Sequence, residues 1–272
     1  MTMNLHRRDC LRAAPLALMG AAALSPRRAL GGDPGAAATI ADSFPSQDPT
    51  LVREMVGASH GNVAKVTALL KDAPQLAKAA YDWGFGDWET ALGAASHVGN
   101  REIAELLIAR GARPDLFTFA MLGDLDAVRA AIVGRPGIQR LHGPHGLTLM
   151  HHARQGGDGA KPVVEYLAAL GDADVGHVDL PLDDSVRGAV IGEYVFGAAP
   201  SQRLQVFLPE RQQRLSMRRE AGTARALFHQ GDAVFHPAGA PDVRIAFAIE
   251  GDRASGLAIT APGPVLQARR AD

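Results

Sequence analysis

Only one cysteine occurs in the 272 residues, and it stands at position 10. An internal disulfide is therefore excluded, as are the multi-cysteine frameworks that hold structural zinc. Aromatic residues are scarce, at 5%, while Ala and Gly are plentiful, a bias that suits close helix packing better than an aromatic-rich sandwich. Neither sign of charge prevails: 28 Lys and Arg face 29 Asp and Glu. Without a positive field to attract phosphate backbones, nucleic acid is not an expected partner. A mean hydropathy of -0.02 and an N-terminal apolar stretch, Ala13 to Leu24, too short to cross a bilayer argue against an integral membrane span. The usual catalytic signatures are missing too. There is no S-x-x-K, H-E-x-x-H or Walker A, and Gly84-Phe85-Gly86-Asp87-Trp88-Glu89 fails G-x-G-x-x-G at its last position. No enzyme, catalytic residue or cofactor is expected. What remains is a composition able to bury a core, with 47% apolar residues.

Residues 1–38 read as an address and tail, to be set aside before fold reasoning. A polar, basic start (Asn4, His6, Arg7, Arg8, Arg12) precedes the apolar stretch, and small-residue cleavage points follow Ala23, Gly31 and Ala38. The run Arg7-Arg8-Asp9-Cys10-Leu11-Arg12 resembles the twin-arginine export signal, with Leu11 at its apolar position. The resemblance implies an exported, periplasmic protein. Its mature chain would lack cysteine and be mildly acidic.

Between residues 48 and 175 the sequence repeats itself. Thr90-Ala91-Leu92-Gly93-Ala94-Ala95, Gly99-Asn100, Ile103 to Leu107 and Gly111-Ala112 return as Thr148 to Ala153, Gly157, Val163 to Leu167 and Gly171 to Val175. Two weaker copies read as helix pairs: Leu51 to Gly61 with Val63 to Leu70, and Phe117 to Gly123 with Leu125 to Val133. The turn glycines Gly61, Gly99, Gly123 and Gly157 fall at uneven steps. A short middle step predicts that the hairpin before the third pair is nearly absent, and a long first step predicts an enlarged finger after the first. Together these segments resemble the ankyrin repeat, with Thr90, Gly99, Thr148, His151 and Gly157 at its structural motif positions. The resemblance implies about four stacked helix pairs that share a core and bind another protein through fingers and inner helices. Small residues (Ala94, Ala95, Ala120, Ala153) would permit close stacking over a core of Leu69, Leu70, Leu106, Leu107, Val128, Ile132, Val164 and Leu167.

From about residue 179 the period becomes that of short alternating runs broken by Gly, Pro and Asp. Residues 183–270, entered through the linker Pro181-Leu182-Asp183, are predicted to form seven or eight antiparallel strands in a strongly curved sheet or barrel. The run Leu227 to Pro237 and the final Gln267-Ala268-Arg269 resemble the small β-domain that follows serine β-lactamase-like hydrolase domains. The expected fold is thus an α-helical ankyrin-repeat solenoid followed by a small antiparallel all-β domain.

Two residue groups invite a functional reading. His142, His145, His151 and His152 have imidazoles to offer a metal, but no Cys or carboxylate adjoins them, and His151 falls at the repeat's structural histidine; no metal is assigned. Tyr81, Trp83, Phe85 and Trp88 put both Trp residues of the chain in the enlarged finger, where large rings either cap the core or anchor a partner. The expectation is an exported, non-catalytic scaffold that binds another protein through these four residues. The alternative is a small-ligand binder that encloses its ligand in the curved C-terminal sheet.

Overall fold

The computed structural model describes residues 43–199, 201–210, 213–220 and 222–271; the export-signal reading, with Arg7, Arg8 and Cys10, lies outside them. Four helix pairs follow one another: α1 (Pro49–Ala58) with α2 (Val63–Asp72), α3 (Ala91–His97) with α4 (Arg101–Ala109), α5 (Leu116–Leu122) with α6 (Leu125–Gly134), and α7 (Leu149–Gln155) with α8 (Lys161–Leu170). Local chemistry sets these boundaries. The Oγ1 atoms of Thr90 and Thr148 accept from the N–H of Gly93 and His151 at 2.8 and 3.1 Å and start α3 and α7. Asn62, Asn100 and Asp124 cap α2, α4 and α6 in the same way, accepting from Lys65, Ile103 and Ala127 N–H. Each such cap contributes about 1 kcal/mol.

Two of the turn glycines are required by contact as well as by conformation. Gly99 and Gly123 have φ of 75° and 79°, and a Cβ on either would lie 2.3 Å from the Gln155 carbonyl oxygen or 2.2 Å from that of Gly159. The turns of the second and third pairs therefore both touch the backbone of the fourth. Gly157 also has positive φ, at 61°, whereas Gly61 does not.

The first helices stack in order, α1 on α3, α3 on α5 and α5 on α7, through the fully buried Ala94, Ala95, Ala120 and Ala153. In the second helices, Leu70, Leu107, Val128, Ile132 and Leu167 are buried, whereas Leu69, Leu106 and Val164 are only partly so. Neighbouring residues of a helix point about 100° apart, so one leucine of each adjacent pair must face outward. The enlarged finger is a hairpin of β1 (Ala80–Asp82) and β2 (Trp88–Thr90). Between α4 and α5 the chain passes directly, as the short glycine step predicts. Ahead of α7 the finger is reduced to tight turns and one bridge, His142 to Thr148.

After α8 an extended segment leads to α9 (Asp184–Val190), a helix that the strand pattern did not anticipate. It plugs one end of a closed antiparallel barrel of eight strands. These are β3 (Gly192–Val195), β4 (Arg203–Phe207), β5 (Ser216–Arg219), β6 (Arg225–Gly231), β7 (Val234–Pro237), β8 (Arg244–Glu250), β9 (Arg253–Ala261) and β10 (Gly263–Arg270), with β10 closing on β3. Val190 is buried in the barrel core, and its carbonyl accepts from the Tyr194 hydroxyl at 2.7 Å. The barrel interior is occupied by its own side chains, among them Tyr194, Leu215, Leu227, Phe235, Ile245 and Ile259.

Repeats and barrel are joined by more than the chain. Asp179 ties the connecting segment to the barrel, accepting from Arg214 Nη2 at 2.7 Å and from His229 N–H at 2.9 Å. Arg225, at the start of β6, reaches the finger residue Asp87 and also donates to the Ala238 carbonyl. A Cβ on Gly239 would lie 2.4 Å from the Asp87 carboxyl, so the barrel backbone presses directly on the finger.

Candidate functional site

Alternation along β2 divides the finger between two environments. Successive side chains of a strand point to opposite faces; Trp88 and Thr90 face out, while Glu89 between them is 1% exposed. At the tip, Gly84, Phe85 and Gly86 all have positive φ, and the turn is held by the Asp82 carboxylate, which accepts from Gly84 N–H at 2.8 Å.

The four candidate anchors consequently part company. Trp88, 64% exposed, and Phe85, 38% exposed, face solvent. Tyr81 and Trp83 pack edge to face, with centroids 4.9 Å apart, against the core of the first two pairs. Trp83 is further committed, because its indole Nε1 donates to Glu89 Oε2 at 2.7 Å.

Behind the finger lies a polar cluster drawn from distant parts of the chain. His60 follows α1, Glu89 is in β2, His97 ends α3 and His145 sits in the turn before α7 at φ 61°. One ligand atom from each lies within 4.8 Å of the others. Oε1 of Glu89 is 2.9 Å from His97 Nε2 and 3.3 Å from His145 Nε2, and Oε2 is 3.5 Å from His60 Nε2. The outward nitrogens have partners of their own: His60 Nδ1 is 3.1 Å from the Val56 carbonyl oxygen, and His145 Nδ1 is 2.7 Å from Asp87 Oδ2. Asp87 also accepts from the His145 main-chain N–H at 2.8 Å. These contacts fix the protonation of the cluster. Burial pushes the Glu89 carboxyl up, but the adjacent His145 and His97 rings more than reverse this and hold it at about 2. Burial pushes His145 down, but its bond to Asp87 and the nearby Glu89 outweigh it and raise it to about 9. Asp87 is likewise held below the usual carboxylate range, against its burial, by His145 and Arg225.

The histidines adjacent in sequence do not gather. Only His145 joins the cluster. His142 binds the Val175 carbonyl oxygen at 2.8 Å and stacks on His177. His151 spans to the His97 carbonyl oxygen at 3.0 Å, which places its bond between the second and fourth pairs instead of inside its own hairpin; with so little hairpin between them, α7 also contacts α3. His152 is wholly buried, with Nδ1 2.8 Å from the Thr148 carbonyl oxygen, and burial pushes its imidazole down to about 4. Among the described residues, then, the candidate ligand group is His60, Glu89, His97 and His145. Two of these, His60 and His97, carried no signal in the sequence beyond their residue type.

Two surface hollows flank the finger. A shallow groove of about 340 Å³ runs past Trp88, Thr90, Asp115, Phe117, Gly143 and Pro144, crossing the finger positions of three successive pairs. On the opposite side a cleft of about 600 Å³ separates Tyr81, Trp83 and Phe85 from the barrel residues Leu204, Met217 and Ile259, with Arg53, Arg218, Arg219 and Arg225 at its wall. No helix of the described residues is long and apolar enough to cross a membrane.

No curated protein matches the chain. One family does: the ankyrin repeat, over residues 87–118, which takes in Asp87, Trp88, Glu89 and His97 together with α3 and α4. The chain therefore carries an ankyrin repeat, which suggests protein–protein interaction and supplies Glu89 and His97 to the candidate site, while His60 and His145 lie outside the match.

Proposed function

We propose that this protein is an exported, non-catalytic scaffold that holds a protein partner in the groove across its fingers. One observation carries the reading: Trp88 stands 64% exposed on the finger of the ankyrin repeat, on the outward face it shares with Thr90, while Glu89 between them is buried. A large ring left in water at the edge of a groove is the usual form of an interface anchor. Leu141, 55% exposed, stands next to the groove-lining His142 in the reduced finger ahead of α7. The barrel presses on the finger at Asp87, and its Gly239 borders the groove. The groove is tested by placing a photocrosslinking side chain at Leu141 in the full chain, in its native compartment, with the outer-helix position Val133 as control. The expected result is a discrete adduct from Leu141 that disappears when Trp88 is replaced by Ala and is absent from Val133. Equal adducts from both positions would refute it.

A second reading rests on the cleft between finger and barrel. Apolar walls and four arginines, Arg53, Arg218, Arg219 and Arg225, suit an amphipathic anion of small-molecule size. Arg218→Ala would then weaken binding of such an anion without affecting partner capture.

A further inference from the structure

We infer that His60, Glu89, His97 and His145 form a four-ligand site for a divalent first-row transition-metal ion of the zinc class. The argument begins with distances. Four ligands around a tetrahedral ion with bonds of about 2.0–2.2 Å stand roughly 3.3–3.5 Å from one another. From Glu89 Oε1, His97 Nε2 and His145 Nε2 stand 2.9 and 3.3 Å away, and one ligand atom from each of the four residues lies within 4.8 Å of the others, so a modest adjustment of the set produces that geometry.

Orientation points the same way. Glu89 Oε1 and His97 Nε2 are both buried, and although 2.9 Å apart they make no hydrogen bond, with each other or with any other group. A buried carboxylate oxygen and a buried imidazole nitrogen thus stand side by side without an aimed partner, and a cation seated among them would supply the missing interaction to both.

The outer contacts complete the picture. A carbonyl oxygen accepts but never donates, so His60 Nδ1, at the Val56 carbonyl, carries the proton, and the neutral ring presents its Nε2 lone pair inward. Ionised Asp87 keeps the proton on His145 Nδ1, so an ion that displaces the Nε2 proton meets that nitrogen's lone pair, in the carboxylate–imidazole–metal arrangement that orients metal-bound histidines. Trp83 occupies the Glu89 oxygen that faces it and leaves Oε1 for the ion.

The donor set selects the ion. Three imidazoles and one carboxylate, with no thiolate among them, suit zinc and its first-row neighbours and disfavour calcium and magnesium, which require more oxygen ligands. His60 and His145 side chains are 32% and 23% exposed, so the ion has a path from solvent. Because the ligands come from the end of α1, the finger, the end of α3 and the turn before α7, a bound ion would clamp the first, second and fourth pairs together and fix the finger that bears Trp88.

The test uses the full chain and two probes, Zn²⁺ and Co²⁺. Zn²⁺ competed against a chromophoric chelator should bind at one equivalent and raise the melting temperature. Glu89→Gln and His97→Ala should each weaken it at least about a hundredfold, and Asp87→Asn, which reaches the ion only through His145 and also loses charge opposite Arg225, about tenfold. His142→Ala, outside the cluster, should bind as the wild type does. Because a ligand variant can misfold, the wild-type Co²⁺ spectrum provides an independent arm: intense visible bands of four-coordinate cobalt, without a sulfur-to-metal band in the near ultraviolet. Absence of those bands, a sulfur band reporting Cys10, or Zn²⁺ binding indifferent to Glu89 and His97 would each overturn the assignment.

Discussion

Replacing Arg225 by Met tests how the barrel is locked to the repeats. The side chain is 8% exposed and the Asp87 side chain 3%, so the pair meets in a low-dielectric junction, and methionine keeps most of the volume while removing the charge. Breaking a buried ion pair costs about 3–5 kcal/mol, because the remaining charge is left without compensation. Asp87 would not be abandoned, since His145 still donates to both of its oxygens, at 2.7 and 2.8 Å. Arg225→Met should therefore fall at the lower end, about 3 kcal/mol. Asp87→Ala strands two cations, Arg225 and His145, and should approach about 5 kcal/mol. Both single losses contain the same uncompensated charge, so the double variant should cost less than their sum, with a coupling of at least about 1.5 kcal/mol. Urea unfolding supplies the assay. Far-ultraviolet circular dichroism follows the whole chain, and fluorescence follows the finger, where both Trp residues lie. Coincident transitions in the wild type are expected. A cost below about 0.5 kcal/mol for Arg225→Met, with an additive double variant, would mean that no buried pair joins the two parts.

Leu107→Ala should destabilise the chain by about 2–5 kcal/mol and Leu106→Ala by roughly half as much, since only Leu107 is fully buried; equal losses on thermal melting would contradict the helix phase. His152 titrates near 4 when folded and near 6.5 when unfolded, so between these values the unfolded state binds more protons and stability rises with pH. The wild type should lose up to about 3 kcal/mol from this ring as pH falls from 7 to 4. His152→Asn, which keeps a donor for the Thr148 carbonyl, should show a shallower slope in urea titrations, and an unchanged slope would mean that His152 is not the group. Changing Arg7 and Arg8 together to Lys should abolish export as judged by fractionation; normal export would eliminate the twin-arginine route.

Much of this architecture was legible because its signals are local. Thr90, Asn100, Thr148 and the following turns carry their reasons within three residues, as side-chain caps and positive-φ glycines, and the barrel strands show the two-residue period of a surface with one side buried. Helix α9 lacks such a signal: it is short, has Gly188 inside it, and is held by burying Val190 in the barrel. The polar cluster was invisible for a stronger reason. His60, Glu89, His97 and His145 share no spacing motif, and only the stacking of α1, α3 and the turn before α7 brings them together. The run from His142 to His152 looked like a group in sequence, but helix phase and the reduced finger send its members to different neighbours. Trp83 and Trp88 were indistinguishable as residue types until strand alternation and the Glu89 carboxylate separated them.

That separation is the core of the account, and it can be measured with the crosslinked partner in hand. Binding affinity and melting temperature should be determined for Trp88→Ala and Trp83→Ala in the same full-length chain. Trp88→Ala should weaken partner binding by about 2 kcal/mol or more, roughly thirtyfold, at an unchanged melting temperature. Trp83→Ala should cost about 3 kcal/mol of stability while each folded molecule binds as before. Wild-type affinity in Trp88→Ala, or a loss of binding without a loss of stability in Trp83→Ala, would contradict it.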